Sequence, residues 1–328
     1  MKILIRLPNW LGDVVMSTAF IAAVKQLYPD ARIDVVIKKE LRSIATLIPG
    51  LNQIHSFSKQ EYPGLGGAYR FGKNLRSEKY DLLFTLPESI SSATMGWATR
   101  AKKRIGFGKE GGFFLLTKTC KKPANVHRVE EYLALLEQFT GNKVTEPQVK
   151  LNTEVTKPNS KRVLINLNSE AESRRMPVDK GISLINKLTN AFPGITFAFI
   201  GSPKDAEHVE QFVKAADKPS QLENYTGKTD LAGLAILMAE SRVLLTTDSG
   251  PAHLSNSVDI PTVVLFGAGN ELNTSPYNKE NLTVIRAGKL ECEPCVRNTC
   301  KLYGIPKCMQ LLDELQIINA VSLYLKDA

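Results

Sequence analysis

The sequence predicts an α/β protein made of two doubly wound domains. Strands and helices alternate along both halves, a polar stretch near residue 152 interrupts the alternation, and the pattern then restarts. A strand that is followed by a helix and another strand implies a parallel sheet, because the helix carries the chain back to the starting edge. With 328 residues, 43% of them hydrophobic, the chain is long enough for two cores. Ligands of such sheets bind beyond the carboxyl ends of the strands, so two domains are expected to hold a cleft between them.

The N-terminal domain, residues 1–152, opens with the strand "KILIRL" and the loop "PNWLGD". Val15, Ala19, Ala22, Ala23 and Leu27 recur at helical spacing, Pro29 and Asp30 end that helix, and "RIDVVIK" is the next strand. "YDLLFTL" is a further strand, and "VHRVEEYLALLEQFTG" a helix stopped by Gly141. "NTEVTKPNSK" is polar, aperiodic and holds a proline, which marks a linker.

The C-terminal domain, residues 160–328, starts with the strand "RVLINLN". A helix over 178–192, stopped by Gly194, leads to the strand "ITFAFIG". Helices "DAEHVEQFVKAA" and "LAGLAILMAES" follow, the second capped by Thr229 or Asp230. The strand "VLLTT", a short helix from Pro251 and the strand "TVVLFG" come next. Leu311, Leu312, Leu315, Ile318 and Val321 to Leu325 predict a closing helix.

The net charge of +9 is unevenly spread. Residues 1–150 hold 23 Lys+Arg against 13 Asp+Glu, and residues 151–328 hold 19 against 20. The basic half suits an acidic membrane surface, a phosphorylated glycan or a nucleic acid, or is simply a solvated face. No run reaches the length of a membrane span. Arg6, Pro8, Asn9 and Asp13 break the apolar start, so no signal peptide is expected and the protein reads as soluble and cytoplasmic. Five cysteines, four of them late in the chain, do not form the pattern of a secreted disulfide scaffold.

Two stretches imitate phosphate-binding fingerprints. "GFGKEG", Gly106 to Gly111, does not open a helix within a β-α-β unit. "GAYRFGKN", Gly67 to Asn74, lacks the Ser or Thr that holds magnesium and has no strand before it. Both read as flexible basic loops. "LLTTDSGPAHL" is more informative. Pro251 suits a first helical position, which makes Gly250 the cap and leaves the N–H groups of Ala252 and His253, with the Ser249 hydroxyl, facing an anion such as a diphosphate. The alternative is that Asp248 and Ser249 merely cap a short helix. The loop "SEAESRRMP", beginning at Ser169, brings Arg174 and Arg175 to the same rim, either as phosphate forks or as a surface pair. "IGSPKDAEH" offers Ser202, Lys204 and Asp205 there. In "LPNWLGD", Asp13 is either a helix cap or a base facing the cleft.

These stretches together resemble glycosyltransferase family 9, the ADP-heptose:lipopolysaccharide heptosyltransferases. The matching residues are "LPNWLGDVVMSTAFIAAVKQLYPDARIDVV", "YDLLFTLPESISSA", "RIGF", "HRVEEYLALL", "SEAESRRMP", "GSPKDAEH" and "TTDSGPAHLSNSVDIPTVVLFG". "CEPCVRNTCKLYGIPKC" is similar to the second-heptose branch. The resemblance implies a GT-B architecture of two Rossmann-like domains, with the acceptor on the first and the nucleotide-sugar on the second. It implies inverting transfer of L-glycero-D-manno-heptose from ADP-heptose to an anionic lipopolysaccharide inner core, with no cofactor and no essential metal. The chain contains no D-x-D triplet, in keeping with that.

On this reading Ser169, Arg174, Arg175, Ser202, Ser249, Gly250 and His253 hold the donor, and Asp248 accepts hydrogen bonds from its sugar. Asp13 takes the acceptor proton, kept ionised by its place at a helix N-terminus. Lys102, Lys103 and Arg104, the densest basic cluster, bind the acceptor. The protein would touch the cytoplasmic face of the inner membrane peripherally and bind no nucleic acid. Met176 departs from the family, which often has Trp there. Cys292, Cys295, Cys300 and Cys308 are either reduced thiols or a structural zinc site. A sugar-nucleotide epimerase of the same shape and a non-catalytic glycan-binding protein are the alternative functions. A dehydrogenase is disfavoured, because the only G-x-G-x-x-G lies in the wrong context.

Overall fold

A computed structural model describes residues 1–108, 111–154 and 159–326. The centre of the predicted linker and two residues of the Gly106–Gly111 stretch lie outside the described residues. The chain divides into two compact units, Met1–Asn152 and Thr153–Ala328.

The first unit runs β1 (Lys2–Arg6), α1 (Leu11–Met16), α2 (Thr18–Leu27), β2 (Arg32–Lys38), α3 (Arg42–Ala45), β3 (Leu51–Phe57), α4 (Gly64–Asn74), β4 (Leu82–Thr85), α5 (Ile90–Ala98), β5 (Lys103–Phe107), β6 (Lys118–Cys120) and α6 (Arg128–Thr140). Its strands form one parallel sheet in the order β3-β2-β1-β4-β5-β6. β1 lies in the middle, with Ile3 paired to Ile33 on one side and Leu82 on the other. Ile3, Leu4 and Ile5 are all buried, as a strand covered on both faces requires.

The Gly67–Asn74 stretch, expected to be a loop, is helical and belongs to α4. Its glycines serve packing rather than phosphate. A Cβ on Gly72 would sit 2.1 Å from the Met95 carbonyl oxygen, so α4 and α5 meet backbone to backbone. Gly106 and Phe107 end β5, so the other imitation begins as a strand and not a loop.

The second unit runs β7 (Asn159–Asn166), α7 (Val178–Ala191), β8 (Thr196–Phe199), α8 (Ala206–Lys214), β9 (Leu222–Asn224), α9 (Leu231–Ala239), β10 (Ser241–Thr247), α10 (Gly250–Ser257), β11 (Thr262–Phe266), α11 (Glu271–Thr274), β12 (Leu282–Arg286), α12 (Lys307–Gln310) and α13 (Glu314–Leu323). The sheet order β12-β11-β10-β7-β8-β9, all parallel, repeats the order of the first unit from the other end. Both are Rossmann orders, with a switch point beside the first strand of each unit. Leu184, Ile185 and Leu188 of α7 pack with Phe197, Phe199 and Phe212 in one core. The closing helix differs from expectation. Asp313 caps it, its carboxylate accepting the Leu315 N–H at 2.9 Å, and this restart sets the phase. Ile317 and Val321 therefore face the core and Leu315 faces solvent. No helix among the described residues is long and apolar enough to cross a membrane.

Candidate functional site

In the second unit, the carboxyl ends of β7 and β10 lie side by side, and their polar residues bond to one another. The Asn166 side-chain amide donates to Thr246 Oγ1 and to Ser249 Oγ, both at 2.9 Å. The Ser249 hydroxyl donates to the Thr247 carbonyl at 3.1 Å, and the Thr247 hydroxyl to the Asn168 carbonyl. Asn166, Asn168, Thr246 and Thr247 are each at most 3% exposed. Buried polar groups that satisfy one another fix a surface rigidly.

On this platform starts α10. Ser249 is its cap residue, and Gly250 and Pro251 are the first two helical residues, one position earlier than the sequence suggests. The difference matters for the amides. The Ala252 N–H, expected to be open, donates to the Ser249 carbonyl at 3.1 Å. The Ser249 and Gly250 N–H groups have no partner among the described residues. The helix end still offers two amides and a partial positive charge, shifted by a turn position. His253 is buried within α10.

Asp248, 4% exposed at its side chain, precedes this start. Arg174 Nη1 lies 3.1 Å from its Oδ2. Burial pushes the Asp248 carboxyl up to about 6, while Arg174 and Arg286 pull the other way. Gly269 borders the same oxygen so closely that a Cβ there would stand 1.8 Å from it. Arg286 supports this loop, donating to the carbonyls of Gly267 and Gly269 and pairing with Glu271 and Glu293.

The segment after Cys292 ties two of these loops together. Val296 N–H donates to the Ala268 carbonyl at 2.8 Å, and Ser173 N–H to the Asn298 carbonyl at 3.0 Å. Met176 lies fully buried in the core beneath the Arg174 loop, so an apolar side chain smaller than Trp still anchors it.

Of the other expected donor residues, Arg175 and Ser202 face each other's partner, Asp205. Arg175 Nη2 lies 3.7 Å from Asp205 Oδ1, and its Nε donates to the Ser169 carbonyl at 2.6 Å. The Ser202 hydroxyl and amide both donate to Asp205 Oδ2, at 2.7 and 2.9 Å. Ser202 therefore caps a short turn, and Arg174 is the arginine that reaches Asp248.

In the first unit, Asp13 is the third residue of α1, whose cap residue is Trp10. It is not the helix cap. Its side chain, 24% exposed, receives two contacts on Oδ1: Tyr132 OH at 3.3 Å and Arg128 Nε at 3.4 Å. Oδ2 has no partner among the described residues. Burial raises the Asp13 pKa, against Arg128 and Tyr132. Burial, the largest influence, therefore works against the ionised form that the helix start was expected to favour. Arg128 also grips Glu131 through Nη1 at 2.8 and 3.0 Å, and Lys122 bridges Glu131 and Glu88.

Lys102, Lys103 and Arg104 are elsewhere. They stand at the amino end of β5, whereas Asp13 follows the carboxyl end of the parallel neighbour β1. Lys102 pairs with Asp81 at 2.7 Å, Lys103 lies over the Phe139 ring, and Arg104 donates to the carbonyls of Leu115 and Ala101. The structure does not bring this cluster to Asp13. The cysteines likewise are not gathered. Cys308 is buried against Gly267, with its thiol pushed up to about 11 chiefly by burial. All five cysteines are free. Among the described residues no group of three or more His, Cys, Asp or Glu could hold a metal ion.

Tyr132, Arg128, Asn166 and Arg286 were not singled out by the sequence. Only the first two had a signal, lying in the "HRVEEYLALL" stretch that carried part of the resemblance.

Comparison with known proteins gives a consistent result. Residues 68–305 match the family model described as glycosyltransferase family 9 (heptosyltransferase). The lipopolysaccharide heptosyltransferase 2 of Salmonella typhimurium is 29% identical over 301 residues, covering 85% of this chain and 86% of that one. The structure of the Escherichia coli ADP-heptose lipopolysaccharide heptosyltransferase II matches with a TM-score of 0.81 at 23% identity, over 99% of this chain and 98% of that one. A glycosyl transferase family 9 structure from Veillonella parvula matches with a TM-score of 0.84 at 20% identity, over 100% and 98%. The fold is thus the two-domain GT-B arrangement of α/β units.

Proposed function

This chain belongs to glycosyltransferase family 9, the heptosyltransferases, and on that premise we propose that it moves L-glycero-D-manno-heptose from ADP-heptose to the inner core of a lipopolysaccharide, as a second-heptose enzyme does. The unit from Thr153 holds the donor and the unit up to Asn152 the acceptor. The observation that carries this reading is the buried Asp248–Arg174 pair beside the open amides of Ser249 and Gly250. A diphosphate takes hydrogen bonds from those amides and charge from Arg174. Asp248 then turns its second oxygen to hydroxyls of the sugar, so the carboxylate meets donors rather than phosphate.

Asp13 acts on the acceptor. As the acceptor hydroxyl attacks the anomeric carbon, the bond from that carbon to the ADP oxygen breaks, and the hydroxyl proton passes to Asp13 Oδ2. Tyr132 and Arg128 hold Oδ1 and fix the direction of Oδ2. A carboxyl raised by burial is a stronger base than a solvated one, which suits this role. Attack on the face opposite the leaving group inverts the configuration. Passive glycan binding needs no base of this kind.

The protein works in the cytoplasm, in peripheral contact with the inner membrane, where its acceptor is anchored. The test is incubation with a panel of ADP- and UDP-sugars and deacylated core acceptors, read by mass spectrometry. Heptose added only when ADP-heptose and acceptor are both present is the expected result. Conversion of the donor without acceptor would move the protein to the epimerases.

A further inference from the structure

One face of the first unit differs from the rest of its surface. It is formed by α4, α5 and the turn Gly112–Leu115. Residues 62–77, 89–108 and 111–129 contain no aspartate or glutamate. From the same layer stand out Leu65 and Trp97, each 47% exposed, Phe113 at 43% and Phe114 at 81%. Scattered apolar residues on a surface are ordinary, but here they share one face on which these described segments carry no acid.

The face is continuous. The Tyr69 and Trp97 rings are 5.7 Å apart across α4 and α5. A Cβ on Gly112 would lie 3.1 Å from Ala93, so the aromatic turn rests on α5. Arg104 ties that turn to the end of α5 through the carbonyls of Leu115 and Ala101. Arg70, Lys73 and Arg100 border the aromatic groups and have no acidic partner among the described residues.

We propose that this face docks on an anionic phospholipid bilayer, with Trp97, Phe113 and Phe114 at headgroup level and Arg70, Lys73 and Arg100 on the lipid phosphates. Aromatic rings favour the boundary between headgroup and acyl chain, and basic residues near an anionic leaflet are attracted to its phosphates. A protein partner would present charges of both signs, whereas a sheet of anionic headgroups matches a face with no acid in three separate segments. The proposal rests on the acceptor reading above and deepens it. Ile90 and Gly112, which lie together, follow the carboxyl ends of β4 and β5, the sheet edge at which Asp13 follows β1. A substrate anchored in that bilayer therefore meets the unit at the catalytic edge.

The test uses the full chain and vesicles of phosphatidylglycerol with phosphatidylethanolamine, against vesicles of phosphatidylcholine, in a sedimentation assay. Binding to the anionic vesicles that weakens with salt is expected. Phe113→Ser with Phe114→Ser, and separately Arg70→Gln with Lys73→Gln and Arg100→Gln, should each weaken vesicle binding at least about tenfold. Transfer to a soluble deacylated acceptor should be unchanged in both. Equal binding to the two vesicle types, or variants that bind anionic vesicles like the parent, would overturn the proposal. Loss of soluble transfer with vesicle binding retained would assign the face to the acceptor glycan and also overturn it. Lipid binding as expected in a chain that transfers no heptose would sink the transferase reading and leave the docking face standing.

Discussion

Asp13 and Asp248 lie beyond the two strands that flank the switch point of this strand order, the first strand in one unit and the fourth in the other, and their surroundings make them different groups. Each lies past the carboxyl end of a central strand, and each faces an arginine distant in sequence, Arg128 at the start of α6 and Arg174 in the turn after β7. Asp248 is sealed, bordered by the backbone of Gly269 on one side and Arg174 on the other. Asp13 is six times as exposed at its side chain, 24% against 4%, and keeps one oxygen open. A sealed carboxylate with a fixed partner is suited to holding a ligand in one orientation. An open carboxylate held by one oxygen is suited to taking a proton. Topology supplies the position, and the packing around it decides between binding and chemistry.

The sharpest way to break this contrast is Asp13→Asn. Asn still accepts from Tyr132 and Arg128 and cannot take a proton. Turnover should drop on the order of a hundredfold or more, with donor affinity and melting temperature nearly unchanged. Near-normal turnover would move the base elsewhere.

The two arginines separate next. Arg174→Gln removes the partner of a buried carboxylate and a diphosphate ligand, so the donor dissociation constant should rise by at least about tenfold. Arg128→Gln should leave donor affinity alone. It removes a lowering influence on Asp13, so the acid side of the rate profile should move to higher pH. Titration calorimetry with ADP and a pH–rate series distinguish the two. If both variants weaken ADP alike, the units do not divide the work as proposed.

A smaller effect concerns stability. In the fold the Asp248 carboxyl sits near 6, against an ordinary value of 3.8, so the native state holds its proton more tightly. The contribution of this group to stability is therefore highest at low pH and is lost as pH rises from about 4 to about 6. Keeping it ionised at pH 7 costs about 2–3 kcal/mol. Asp248→Asn should gain stability relative to the parent across that window and lose donor binding. A difference in denaturation free energy that does not change between pH 4 and 7 would contradict the burial argument.

The smallest expected effect is that of chelation. On the proposed mechanism Arg174 and the α10 amides provide the charge for the leaving ADP. EDTA should leave transfer rates within about twofold, and loss of activity restored by magnesium would show that a cation shares that task.

Much of this was legible from residue pattern, and the exceptions have common causes. β1, β2, β4, β7, β8, β10 and β11 are apolar runs and announce themselves. β3, "LNQIHSF", is an edge strand with its polar residues half-exposed, so it lacks the buried-strand pattern. α4 is hidden by four glycines, of which Gly72 is explained only by the approach of α5 and Gly67 by that of the Tyr62 backbone. In the site, Asp13, Arg174, Asp248 and Ser249 lie beside turns whose composition marks them. Tyr132 reaches Asp13 across 119 residues, and Asn166 reaches Ser249 across 83. Such pairs exist only once the sheet order is fixed, and no local signal encodes them. The basic cluster misled for a related reason. Charge density is a property of the sequence, but which end of a strand carries it is a property of the sheet.

The parallel sheets also constrain how this protein is born. β1 is synthesised before both of its neighbours, yet Ile3 needs Ile33 on one flank and Leu82 on the other. In the second unit Leu164 waits in the same way for Ala198 and Leu244. At typical synthesis rates of about 5–20 residues per second, the central strand stays half-paired for several seconds. Distant pairings of this kind close slowly, and an apolar strand with an open edge is the species that aggregates. Because each sheet is completed within its own unit, the first can close while the second is still being translated. Only one open edge then has to be endured at a time.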